Sequence, residues 1–263
     1  MQIDLIKKGN GMLKILPIAS GSTGNCMLVE IDGNRILIDF GISPKAVAAV
    51  LAANSYTWEE IRAVLITHTH ADHVKGLETG RKKICAPFYM SATSKDKLMA
   101  EETIALPYFE KTEILPGMWV TAIPTSHDCP GSVGFRIETE QTVLGYLTDL
   151  GYVPERTMEM LSGADCIVLE SNHDEELLRF GRYPIFLKKR ILSNQGHLSN
   201  HDSAAALAWF ADHGTKHFFL AHLSQENNRP ELALECAMKA TAGMDVHIEV
   251  LPVYGESTIT VAD

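Results

Sequence analysis

Residues 63–73 read Ala63-Val64-Leu65-Ile66-Thr67-His68-Thr69-His70-Ala71-Asp72-His73. The four apolar residues that open this stretch form a short continuous run, as a buried strand does. In an extended chain, residues i and i+2 point the same way. His68 and His70 can therefore face one cation from the end of that strand. A turn after His70 would present Asp72 and His73 to a second cation close by. Imidazole and carboxylate together suit zinc, manganese or iron. A lone histidine is more often a satisfied core or surface residue. That account does not cover three imidazoles and a carboxylate packed into six positions directly after a strand.

Further ligands are expected at other strand ends. The segment 121–127 is β-like and closes on His127, 142–149 closes on Asp149, and 216–222 closes on His222. Each has a plain alternative: Asp149 as a turn cap, His127 and His222 as loop residues. One polar ligand after an apolar strand, three times over, instead suggests side chains converging on one edge of a sheet sandwich.

In this arrangement the chain resembles the metallo-β-lactamase fold superfamily, whose five motifs occur in order: Asp39 in Leu37-Ile38-Asp39-Phe40-Gly41, the His68–His73 run, His127, Asp149 and His222. The resemblance implies that His68, His70 and His127 hold one metal, that Asp72, His73 and His222 hold the other, and that Asp149 bridges them. Asp39 would orient a ligand histidine from behind. An Asp at the fourth motif, where lactamases proper carry Cys, groups the chain with the nuclease, phosphodiesterase and glyoxalase branches.

A narrower likeness rests on Ala19-Ser-Gly-Ser-Thr-Gly-Asn-Cys26, the run from His68 to Gly76, Glu170-Ser-Asn-His-Asp174, Gly181-Arg-Tyr-Pro184, Gly196-His-Leu-Ser-Asn200 and Ala221-His-Leu-Ser-Gln-Glu-Asn-Asn228. Together these resemble the YycJ/WalJ family of bacterial 5′–3′ exonucleases acting on duplex DNA, over roughly residues 13–255. The expected fold is thus α/β, a four-layer αβ/βα sandwich. The implied cofactors are two divalent ions, Zn²⁺ or Mn²⁺, and the expected partner is DNA, at duplex ends, or another phosphodiester.

The length suits one domain over residues 13–263 after a tail over 1–12, with Met12 an alternative start; no Pro/Gly/Ser-rich linker divides the chain. No apolar run approaches the ~20 residues that span a bilayer, and the N-terminus lacks the apolar core of a secretion signal. The five cysteines are scattered, odd in number and never spaced as CxxC, which favours a reducing cytoplasm over a disulfide framework. Cys129, two residues after His127, is read as a small buried residue that can also approach the metals. A formal net charge of −10 argues against tight nonspecific DNA binding. Local fields at a cleft can still differ. Two basic clusters, Arg81-Lys82-Lys83 and Arg179, Arg182, Lys188, Lys189, Arg190, are either solvated faces or phosphate guides.

Strands are expected near 13–19, 25–31, 35–39, 63–67, 84–89, 118–124, 132–138, 142–148, 165–170, 216–221 and 246–251, with a hairpin turn at Gly33-Asn34. Helices are expected near 44–53, 91–100 (Ser91 as N-cap), 154–162, 184–192, 201–213 (capped by Ser199 or Asn200) and 230–241.

Two metals can share a hydroxide nucleophile and clamp the attacking and leaving oxygens of a phosphodiester, so no protein nucleophile is needed. The expected catalytic set is Asp72, His197, His173 and Glu170: His197 to stabilise the phosphate or protonate the leaving oxygen, Glu170 to orient it, His173 as a second acid. A capping or core hydrogen bond is the less favoured alternative for each. Ser20, Ser22 and Asn25 in the Gly-Ser loop, with Lys75, are expected at the substrate, although a tight turn explains the loop as well. Three other functions stay open: a phosphodiesterase for small cyclic phosphates, a thiolesterase or glyoxalase, and a scaffold that has lost turnover. His201, His213, His217 and His247 stand in no motif and are read as structural or surface residues; the sequence does not set the oligomeric state.

Overall fold

The computed structural model describes residues 12–98, 103–254 and 259–261. Its first half runs β1 (Leu13–Ala19), β2 (Cys26–Ile31), β3 (Asn34–Ile38), α1 (Pro44–Ala53), β4 (Ile61–Leu65), α2 (Ala71–Val74), α3 (Leu77–Gly80), β5 (Phe88–Ser91), α4 (Ala92–Leu98) and β6 (Thr103–Leu106). The second half runs β7 (Lys111–Leu115), β8 (Met118–Pro124), β9 (Val133–Glu138), β10 (Val143–Leu147), α5 (Glu155–Leu161), β11 (Cys166–Glu170), α6 (Glu175–Phe180), α7 (Ile185–Ile191), α8 (Asn200–Asp212), β12 (His217–Ala221), α9 (Pro230–Ala240), β13 (His247–Val250) and β14 (Ile259–Val261). One sheet has the order β14-β1-β2-β3-β4-β5-β6 and the other β13-β12-β11-β10-β9-β8-β7. Each is antiparallel at one end and turns parallel partway, from β3 in the first and from β10 in the second.

Side-chain alternation builds the layers. In β2, Met27, Val29 and Ile31 enter a central core shared by both sheets, while Cys26 and Leu28 join a second cluster with Val47 and Leu51 of α1. In β11, Cys166 and Val168 face the central core, and Ile167 and Leu169 face Leu161 of α5 and Phe210 of α8. A strand covered on both faces reads as an unbroken apolar run, as Cys-Ile-Val-Leu does at 166–169. The result is the αβ/βα sandwich.

Several expected elements need correction. The hairpin loop is Asp32-Gly33, not Gly33-Asn34: both loop residues have positive φ, 48° and 81°, and Asn34 already pairs with Ile31. That is the pairing of left-handed residues a two-residue hairpin requires. The strand expected at 84–89 is β5 at 88–91, because Pro87 offers no N–H to a ladder. Met12, expected in the tail, exchanges hydrogen bonds with Asp32; residues 1–11 lie outside the described residues, as do the last two of the helix expected over 91–100. Ser91 does cap α4, its Oγ accepting from Ser94 N at 3.2 Å, and Ser199 caps α8, accepting from Asp202 N at 3.1 Å. The strands β6, β7 and β14, the one-turn helices α2 and α3, and α6 are not among the expected elements.

Candidate metal centre

The first three motifs meet where strands end. His68 and His70 follow β4 in extended backbone, and α2 begins at Ala71 with His70 as its N-cap. His68 Nε2 lies 3.1 Å from His70 Nδ1, and His127 Nε2 lies 3.3 Å from the same atom. The other nitrogens are tied down: His68 Nδ1 sits 3.1 Å from Thr67 Oγ1, and His127 Nδ1 sits 3.1 Å from the Gly196 carbonyl. A histidine anchored at one nitrogen presents the other in a fixed direction.

The turn of α2 swings Asp72 and His73 to the neighbouring position. His73 Nδ1 bonds Asp39 Oδ2 at 2.7 Å, which leaves Nε2 3.5 Å from Asp72 Oδ2 and 3.4 Å from Asp149 Oδ2. Asp39 is itself fixed by Thr67, whose backbone N–H and hydroxyl both donate to it. His222 Nδ1 bonds Glu170 Oε1 at 2.6 Å, leaving its Nε2 for the centre. Asp149 reaches both positions, with Oδ1 3.7 Å from His127 Nε2.

Three groupings have ligand atoms within 4.8 Å of one another and fit a cation: His68/His70/His127, Asp72/His73/His222, and His68/His73/Asp149. A fourth, Asp149/Glu170/His197/His222, differs in kind. There Glu170 Oε1 accepts from the Nδ1 atoms of His222 and of His197, the latter at 2.9 Å, so it is a hydrogen-bonded relay. Asp149 Oδ2 and His222 Nε2 are buried without any hydrogen-bond partner. Buried polar atoms are costly unless paired, and these two belong to the groupings a divalent cation would satisfy.

The electrostatics agree. Burial and then neighbouring imidazoles push His68, His70 and His127 below the ordinary imidazole value, which favours the neutral form a metal ligand needs. Burial works against charge on His73 and His222 as well, but there it is outweighed. Asp39 and Asp149 raise His73, and Asp149 with Glu170 pushes His222 up to about 10. Burial likewise opposes ionisation of Asp149, yet His222 and His73 hold it well below the usual carboxylate range. The centre is a buried anionic cluster that gathers positive charge.

The cavity over it, of about 240 Å³, is lined by His70, Asp72, His127, Asp149, His197 and His222 together with Ser22, Asn172, Tyr183, Leu187, Arg190, Ile191 and Ser224. Of the four residues expected at the substrate, Ser22 lines it. Ser20 is buried, and its Oγ accepts from His222 N at 3.0 Å. Asn25 is buried too, accepting from Gly21 N at 2.8 Å and placing Nδ2 3.0 Å from His73 Nε2. Both are buried, neither lines the cavity, and both brace the ligand loops. Lys75 donates to the Thr23 carbonyl. Glu170 is fully buried, and its Oε2 also accepts from Leu150 N and Leu198 N at 3.2 and 3.0 Å. It positions other groups and has no surface of its own for a substrate. His173 is buried, does not line the cavity, and is pushed down to about 4 by burial. That environment does not suit the second acid expected of it. Cys129 is buried, 3.4 Å from Thr69 Oγ1, and belongs to none of the cation groupings.

Sequence reading missed Asp128, Asn172 and the separate role of Arg190. Asp128 Oδ1 is 3.6 Å from His70 Nε2, and both its oxygens are held by Arg190. Asn172 gathers three loops: its N donates to Leu198 O, its O accepts from Ser224 N, and its Nδ2 donates to His222 O. Behind it, Ser171, Asn200 and Asn228 form a closed buried network, with Ser171 Oγ to Asn200 Oδ1 at 2.7 Å and Asn200 Nδ2 to Asn228 Oδ1 at 2.9 Å. The signal was present, since all four asparagine and serine residues lie in the family-like segments 170–174, 196–200 and 221–228.

A sequence profile for the Beta-lactamase superfamily domain matches residues 34–223, and the fold and histidine arrangement define that class. The chain belongs to the beta-lactamase superfamily and, within it, to the YycJ/WalJ family. It is 38% identical over 224 residues to Exodeoxyribonuclease YycJ of Bacillus anthracis, covering 82% of this chain and 84% of that protein. It is 34% identical over 252 residues to Exodeoxyribonuclease WalJ of Streptococcus pneumoniae, covering 92% and 94%. Among solved structures, the metallo-beta-lactamase fold protein YhfI from Bacillus subtilis superposes with a TM-score of 0.71 at 15% identity, covering 95% of this chain and all of that one, a likeness of fold alone.

Proposed function

We propose that this protein is a metal-dependent exodeoxyribonuclease that hydrolyses DNA phosphodiester bonds from the 5′ end. The observation that carries the reading is the convergence of His68, His70 and His127 beside Asp72, His73 and His222, with Asp149 between them. The substrate class is supported by the likeness to two proteins named exodeoxyribonucleases over most of the chain. Two divalent ions, Zn²⁺ or Mn²⁺, would lower the pKa of water and neutralise charge on a phosphodiester when held by these residues.

The chain's own groups divide the remaining work. Glu170 positions two imidazoles through one oxygen, and His222 is thereby aimed at the second cation position. His197 donates Nδ1–H to Glu170 and keeps Nε2 for the cavity, where it protonates the leaving oxygen. Arg190, on the rim and held by Asp128 through Nε and Nη2, would meet a phosphate with its remaining guanidinium N–H groups. We take residues 13–263 as one domain, since the ligands come from both halves, and we assign it to the cytoplasm. All five cysteines are free thiols, and among the described residues no helix is long and apolar enough to cross a membrane.

The test is metal-reconstituted protein acting on linear duplexes labelled at the 5′ or 3′ end, with circular DNA, RNA and a cyclic nucleotide alongside and His68→Ala as control. Metal-dependent release of 5′ label from linear duplex, absent in the variant, is expected. Cleavage of the cyclic nucleotide alone would overturn the reading in favour of a small phosphodiester substrate.

A further inference from the structure

Residues 179–190 carry five cations and no carboxylate in a chain whose formal net charge is −10. They span the end of α6, the turn through Pro184 and most of α7. Between the cations stand Phe180, Ile185 and Phe186, exposed by 81%, 73% and 73%, the most exposed large hydrophobic side chains among the described residues. Clustered apolar side chains left in water mark an interaction surface.

The segment is held in shape and faces the site. Lys188 Nζ donates to the carbonyls of Arg179 and Gly181 at 2.8 and 2.7 Å, which stitches α6 to α7. Leu178 and Ile191 anchor its two ends in the interior. Tyr183, Leu187 and Arg190 line the cavity beside His197. Phe180 and Phe186 stand in the same short segment, Phe186 directly before the lining residue Leu187. The cavity, at about 240 Å³, is smaller than the ~300–1,000 Å³ pockets that enclose a drug-sized ligand. A polymer must leave most of its length outside it.

Charge chooses the occupant. A second copy docked about a two-fold axis would set this strip against itself, its Arg182 and Lys189, unpaired among the described residues, facing their own copies, and like charges across an interface are strongly unfavourable. A polyanion removes that conflict. Alternating aromatic faces and cations match a strand whose bases are unstacked, since bases stack on aromatic rings while the phosphates meet the charges. Duplex DNA hides its base faces except at an end. Arg182 and Lys189 make no ion pair among the described residues, and so are available to phosphates.

We propose that residues 179–190 bind an unpaired end of a DNA strand, with bases on Phe180 and Phe186 and phosphates on Arg182 and Lys189. The proposal rests on the exonuclease reading for its substrate class. The test is fluorescence anisotropy on the full-length, metal-loaded protein, using phosphorothioate-protected duplexes that are either blunt or carry a single-stranded 5′ overhang. Phe180→Ala/Phe186→Ala should weaken overhang binding about tenfold or more and affect the blunt duplex less. Arg182→Gln/Lys189→Gln should reduce the slope of affinity against salt. Thermal melting should match the parent, since all four side chains are on the surface. Unchanged overhang affinity in both double variants overturns the proposal. So does a dimer that becomes monomeric in light scattering with DNA affinity intact, which would give the strip to a second copy. Overhang binding that depends on these residues in a protein that cleaves no DNA supports the strip and sinks the exonuclease reading instead.

Discussion

Glu170→Gln changes one oxygen to nitrogen and tests how the centre is held. The carboxylate accepts from four donors: the Nδ1 atoms of His197 and His222 on Oε1, and the backbone N–H groups of Leu150 and Leu198 on Oε2. A glutamine side chain accepts through one of its two heads only, so two donors lose their acceptor in either orientation. Each stranded buried donor costs about 1–3 kcal/mol, which gives roughly 2–6 kcal/mol against the folded, liganded state unless the stranded groups rearrange. If the amide N–H faces the imidazoles, they escape by shifting tautomer. The proton then sits on His222 Nε2, the atom meant for a cation. If it faces the backbone, the loop carrying Asp149 and Leu150 is pushed instead. Zn²⁺ titration with a competing chelator should show affinity at the Asp72/His73/His222 position falling about 10–100-fold, with the His68/His70/His127 position little changed. Melting of the metal-free protein should drop by several degrees. Two cations bound at parental affinity, with unchanged melting, would refute this account of Glu170.

Other expectations follow from the same geometry. Gly41→Ala would set a Cβ 1.6 Å from the Asp72 carbonyl oxygen and 2.7 Å from Asn25 N. The α2 turn must retreat by more than 1 Å, a displacement that can cost about 10²-fold in rate; turnover and metal content check it. His197→Ala should keep both metals, measured by elemental analysis, and lose about 10²–10⁴-fold in turnover. Glu138 is held below the usual carboxylate range: burial opposes its charge, but Lys111 and Arg136 outweigh burial. Its stabilising effect is therefore present above the unfolded value of about 4.3 and fades as pH falls through the lowered one. Glu138→Gln should flatten the acid side of the melting profile, read by circular dichroism from pH 6 downward.

Ligand chemistry explains why the centre was legible. Few residue types bind divalent cations, and strand periodicity says where a strand stops, so His68, His127, Asp149 and His222 stand out from sequence. What failed was direction and distance. Along an extended loop, neighbouring side chains point opposite ways: Asn172 turns to the cavity and His173 is buried away from it, though both sit in one block. Sequence cannot tell which of the two is which. Ser20 and Asn25, expected at the substrate, are turned for a related reason to His222 and His73, around which their loop is shaped. The strands β6 and β7 are short and edge-like, with several exposed positions, and short polar edges carry little periodic signal.

Backbone strain links these points. Asp39, Asp149 and His222 have φ of 62°, 59° and 58°, all in the left-handed region, and each follows a strand end by one or two residues. Such a residue bends the chain sharply and aims its side chain across the strand end, at a cost of about 1–3 kcal/mol. Aspartate and histidine both visit this conformation more readily than most residues, and local hydrogen bonds lower its cost further. For His222 they come from both sides: Ser20 Oγ accepts its N–H at 3.0 Å, and Asn172 Nδ2 donates to its carbonyl at 2.9 Å. Ser20→Ala should therefore act on the ligand and leave substrate contacts untouched. One buried N–H loses its acceptor, costing about 1–3 kcal/mol, and His222 relaxes toward ordinary φ. Cation affinity at the position shared with Asp72 and His73 should fall about tenfold or more, since 1.4 kcal/mol is a factor of ten. KM for the substrate, measured at saturating metal, should hold. A raised KM with unchanged metal affinity would return Ser20 to the substrate and show that the strain at His222 is supported without it.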